Sequence, residues 1–71
     1  MSGFSERLRE LRQEKNLSNK ELSVQLDGKI SASAISLWEL NKRVPNLEAV
    51  ILLANYFNVS LEYIVGLSDE K

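Results

Sequence analysis

Four basic residues, Lys20, Lys29, Lys42 and Arg43, bracket a short segment, Ser31-Ala32-Ser33-Ala34-Ile35-Ser36-Leu37-Trp38-Glu39. Ammonium and guanidinium groups neutralise backbone phosphates. Serine hydroxyls give or take one hydrogen bond at a base edge. The segment follows a second short stretch, Ser18-Asn19-Lys20-Glu21-Leu22-Ser23-Val24-Gln25-Leu26, across a Gly-containing turn. Two short helices joined by such a turn present the second one to the major groove of DNA. The chemistry implied is recognition of a charged duplex. Lys20, Lys29, Asn41, Lys42, Arg43 and Asn46 are the positions around the second helix expected to meet phosphates. Ala32 and Leu37 offer only apolar contact, as with a thymine methyl, so discrimination should be modest and partly read from duplex shape.

Catalysis is not expected. The chain has no His and no Cys, and no Gly-rich phosphate loop or nucleophile motif. Glu6, Glu10 and Glu14 fall at helical spacing, but Arg residues interleave them and no His completes a metal site. No metal, cofactor or small-molecule ligand is therefore expected. Net charge is −1, unevenly placed: residues 1–43 carry +2 and residues 44–71 carry −3. The acidic C-terminal third should face away from DNA. No apolar run reaches the ~20 residues of a membrane span. Met1-Ser2-Gly3-Phe4 lacks the pattern of a secretory leader. A cytoplasmic location is expected.

Seventy-one residues read as one domain, with an ordered core over about 5–67. Helical periodicity of Phe4, Leu8, Leu11 and Leu17 predicts a first helix from about Ser5 to Lys15. Its charges read as a solvated face with local pairs, Glu6–Arg9 and Arg7–Glu10. Ser18 and Glu21 have capping-box spacing, with Leu17 and Leu22 as a hydrophobic staple. Asp27-Gly28-Lys29 ends that helix. Ser31 caps the third helix, whose Ile35 and Trp38 face the core. Asn46 caps a fourth after Pro45, with Leu47, Val50, Ile51, Ala54 and Phe57 as its buried stripe. Ser60 caps a fifth, which Gly66 ends in a left-handed conformation. Strands are not expected: the fold class is all-α, a compact bundle of five short helices.

The chain resembles the phage-repressor-like (Cro/repressor or XRE-type) helix-turn-helix domains over about residues 5–67. The residues carrying the resemblance are Arg7-Leu8-Arg9-Glu10-Leu11-Arg12, Asn16-Leu17-Ser18, Glu21-Leu22, Ile35-Ser36, Trp38-Glu39, Pro45, Leu47 and Asn58-Val59-Ser60-Leu61-Glu62-Tyr63. The resemblance implies a five-helix bundle that binds operator DNA as a homodimer and represses or regulates transcription. In such domains the second helix opens with a Gln that touches the DNA backbone; here Asn19 takes that place. The resemblance maps the positions that meet bases to Ala32, Ser33, Ser36 and Leu37, where relatives often carry Gln, Asn, Arg or Lys. The turn Asp27-Gly28-Lys29-Ile30 is about two residues longer than in the family pattern.

Two apolar groups have alternative readings. Leu37, Leu40 and Val44 could touch thymine methyls or form a protein-binding patch, which would make the chain an interaction module on the same fold. Tyr56, Leu61, Val65 and Leu67 could form a dimer surface or close the core under the last helix.

Overall fold

A computed structural model describes residues 2–71. Met1, the first residue of the stretch read above as lacking a leader pattern, lies outside the described residues. The elements are α1 (Ser2–Glu14), α2 (Asn19–Gln25), α3 (Ala32–Glu39), α4 (Leu47–Phe57) and α5 (Leu61–Ile64), with no strand among the described residues. The all-α bundle of five helices is as the sequence implied. Helix α1 starts three residues earlier than its apolar spacing suggested, at Ser2 rather than Ser5.

Local sequence explains where each later helix starts. Ser18 Oγ accepts the Glu21 amide at 3.0 Å, and Glu21 Oε1 accepts the Ser18 amide at 2.8 Å, a complete capping box. Ser31 Oγ accepts from the Ala34 amide at 3.0 Å, Asn46 Oδ1 from Ala49 at 2.8 Å, and Ser60 Oγ from Tyr63 at 3.0 Å. The stops share a second device. Asn16, Asp27, Asn41 and Asn58 all take positive φ, between 55° and 58°. Asn and Asp tolerate this left-handed region best after Gly, because their short polar side chains bond locally.

The core joins Phe4, Leu8 and Leu11 of α1 to Leu22, Ile35, Trp38, Leu53 and Ile64. The Phe4 ring meets Trp38 edge-on, centroids 6.0 Å apart. Helix α3 packs against both α1 and α2, while α5 packs against α1 and α4.

Two expectations need correction. In α4 the buried face is Val50, Leu53, Ala54 and Phe57, whereas Leu47 is 68% exposed and Ile51 40%. The helix is apolar on nearly every side, so two stripes fit its sequence and tertiary packing chose between them. The charges of α1 do not pair locally either. Arg7 pairs with Asp69 at 2.8 Å, and Arg9 and Arg12 both reach Glu39. For Arg9 and Arg12 the distant partner is a buried carboxylate, which outcompetes an exposed neighbour on the same helix, whereas Asp69 is itself fully exposed.

Candidate nucleic-acid interface

Helix α3 is held by what lies beneath it. Its end carries Glu39, a carboxylate whose side chain is 5% exposed. Arg12 Nε and Nη2 donate to the two Glu39 oxygens at 2.7 and 2.8 Å, in a two-pronged charge-assisted pair. The pair raises the Arg12 pKa further above its ordinary value, the Glu39 hydrogen bond being the largest cause. Arg12 Nη1 also donates to the Leu17 carbonyl at 2.8 Å, and Arg9 Nη2 to the Glu39 carbonyl at 3.0 Å. Ser5 Oγ donates to the Trp38 carbonyl. The last turn of α3 is thereby fixed to α1 by three separate side chains.

The turn before α3 is equally defined. Asp27 and Gly28 both have positive φ, 57° and 72°. The Gly28 amide returns to the Ser23 carbonyl at 2.9 Å, and Ser23 Oγ donates to the Ile30 carbonyl at 2.7 Å. Ile30 is buried, so the turn is anchored on its far side while Lys29 stays in solvent. Ser23 was not singled out from sequence, and its hydroxyl is what closes the long turn.

On the outer side of α3, Ser33 is exposed, while Ala32, Ser36 and Leu37 are half-buried. Full exposure of Leu37 was expected and is corrected: flanked by Ile35 and Trp38 in the core, it sits at the helix boundary. Leu40 and Val44 are exposed, at 55% and 67%. Asn19 is half-buried, and its Oδ1 is buried without a hydrogen-bond partner. With the oxygen turned inward, the amide nitrogen is the atom available to an acceptor such as a phosphate oxygen. Asn46 spends its side-chain oxygen on the α4 cap, and Asn41 ends α3 in the left-handed region.

The cations divide into two sets. Arg7, Arg9, Arg12 and Lys71 pair with carboxylates, and Lys15 lies over the Tyr56 ring at 5.6 Å. Lys20, Lys29, Lys42 and Arg43 are exposed, and their side chains have no ion-pair, hydrogen-bond or ring partner among the described residues. All four lie on α2 or on the turns at the two ends of α3. No group of three or more potential metal ligands occurs among the described residues.

A family model described as "Helix-turn-helix" matches residues 8–64. The chain belongs to the XRE-type helix-turn-helix family. Helices α2 and α3 are the pair that names the motif. Among helix-turn-helix relatives, the transcriptional activator BcrR of Enterococcus faecalis is 37% identical over 63 residues, 89% of this chain and 30% of its own length. Two regulators of Bacillus subtilis (strain 168), YobD and YqaE, are 31% and 35% identical over 94% and 96% of this chain. The chain spans 58% of the length of each of those two. No solved structure gives a significant match. Among the described residues no helix is long and apolar enough to cross a membrane.

Proposed function

We propose that this chain is a non-enzymatic, cytoplasmic, sequence-specific regulator that binds double-stranded DNA as a homodimer and represses by occupying its operator. The observation that carries the reading is the division of the cations. The fold pairs Arg7, Arg9, Arg12 and Lys71 with carboxylates and sets Lys15 over a ring, while the four cations on α2 and beside α3 have no side-chain partner among the described residues. In this reading α3 enters the major groove, with Ser33 and Ser36 hydrogen-bonding base edges and Ala32 and Leu37 against methyl groups. Lys20, Lys29, Lys42 and Arg43 neutralise phosphates on both sides, and the amides of Asn19, Asn41 and Asn46 add neutral contacts. Because phosphate contacts outnumber good base contacts, affinity is strongly salt-dependent and specificity modest.

Within the C-terminal group named from sequence, Tyr56 and Val65 pack against the core, whereas Leu61 is 40% exposed and Leu67 82%. The dimer surface is assigned to Leu61 and Leu67; to read two half-sites on one face of the duplex, such a dimer would have to hold its two copies of α3 about 34 Å apart. BcrR bears the name of an activator, so repression is the reading that needs its own readout. Selection of bound fragments from a random duplex library, followed by affinities at several salt concentrations, tests the whole. A two-fold-symmetric enriched site with a steep salt slope is expected, and transcription from a promoter carrying that site should fall. Absence of enrichment overturns the reading. A second reading, a protein-interaction module, is favoured by one observation: Leu40, Val44 and Leu47 are all more than half exposed around one turn. A flat salt dependence would select it.

A further inference from the structure

Residues 28–31 before α3, and Arg43, Val44 and Asn46 after it, form two walls of an open cleft of about 870 Å³ on the flank of α3. Its size is within the roughly 300–1,000 Å³ of small-molecule sites. Ile30, Ala34, Trp38, Val44 and Leu52 contribute apolar surface to its lining, and Lys29 and Arg43 stand on the two walls. The side-chain oxygens of Ser31 and Asn46, which also line it, are committed to the caps of α3 and α4. Lys29 and Arg43 have no partner among the described residues, and Glu48 is the one carboxylate in the lining.

A cleft of mixed polar and apolar lining, edged by an aromatic ring and by two cations without a partner among the described residues, is complementary to a flat body bearing a negative charge. We infer that this cleft binds a planar aromatic carboxylate, and that its occupant lowers affinity for DNA. The second half rests on the function proposed above. There Lys29 and Arg43 hold phosphates, and one cation cannot serve a carboxylate and a phosphate equally well at the same time. The extra length of the turn supplies the Lys29 wall. The aromatic part would lie against the Trp38 edge and the short Ala34 and Ala49 side chains, where no bulk obstructs it.

The test uses 2-naphthoate as the probe and amide chemical shifts of the 71-residue chain as the readout. Saturable shifts are expected at residues 29–34, at the Trp38 indole and at residues 43–49. Neutral 2-naphthamide should bind about fivefold more weakly, the worth of one exposed ion pair. Octanoate should bind more weakly than naphthoate. Ala49→Leu, which fills the cleft and suits a helix, should abolish the shifts, and Glu48→Gln should strengthen binding about twofold by removing the like charge. Shifts that never saturate, or that spread to Leu61 and Leu67, overturn the site. Equal binding of octanoate overturns the aromatic assignment. Saturating naphthoate that leaves duplex affinity unchanged overturns the effector role. The shifts are read without DNA, so a chain that fails to bind DNA refutes the regulator reading alone and leaves the cleft arm decisive.

Discussion

Arg12 and Glu39, 27 residues apart in sequence, face each other through two hydrogen bonds of 2.7 and 2.8 Å. One belongs to the first helix, the other to the end of the helix assigned to the major groove. The contact transmits the position of α1 to α3, since the pair is largely buried and the other cation on Glu39, Arg9, is longer at 3.4 Å and half exposed. Removing one partner leaves a charge stranded. Glu39→Ala should destabilise the fold by about 3 kcal/mol, read from urea unfolding. Arg9→Ala should cost less than about 1 kcal/mol, because that arginine is 46% exposed. The double change Arg12→Met with Glu39→Met should recover most of the loss. A loss from Glu39→Ala no larger than that from Arg9→Ala would show the pair to be incidental.

Arg43 follows α3 and has no internal partner. Arg43→Ala should weaken binding to all duplexes alike and reduce the slope of log affinity against log salt by about one. Stability should be unchanged within about 0.5 kcal/mol. An unaltered slope removes Arg43 from the phosphate contacts.

Ser33 is the one exposed member of the four positions assigned to bases. Ser33→Ala should change preference at one base step and leave non-specific affinity intact, as judged by repeating the duplex selection. Equal losses on every sequence would contradict a base contact.

Glu21 closes the α2 capping box, and the Ser18 backbone amide bonded to it is the largest cause holding its pKa below the ordinary carboxylate value. The folded-state pKa is depressed. The stabilisation is therefore complete above the ordinary value and is lost as pH falls through the lowered one. Glu21→Gln can keep the cap without the charge. The variant should melt below the parent at pH 7, and the gap should close on acidification. A gap that persists at pH 2 would assign the effect to something other than ionisation.

Caps and staples were legible because they are local: a Ser and a Glu three apart meet in any helix that starts there. The same holds for the free cations, whose places next to α3 follow from element order. The Arg12–Glu39 pair was not legible, since α1 offers three arginines and the chain holds ten acidic residues. The buried face of α4 was ambiguous for want of polar residues to mark its outside. Gly66 announced its left-handed stop, but Asn16, Asp27, Asn41 and Asn58 did not announce theirs, for Asn and Asp serve equally as caps and turn residues. The cleft required two turns distant in sequence to be set side by side, which no spacing encodes.

The turn before α3 has one further consequence. Its two ends are fixed independently, by Leu26 and Ile30 in the core, while its tip stands clear, with nothing within 4 Å of where a Gly28 Cβ would be. Length can therefore change at this tip without altering the register of the helix that follows. A chain built this way can acquire or discard a wall of its surface by insertion and deletion alone, and the same tip is the place to graft a label that leaves the reading helix where it was.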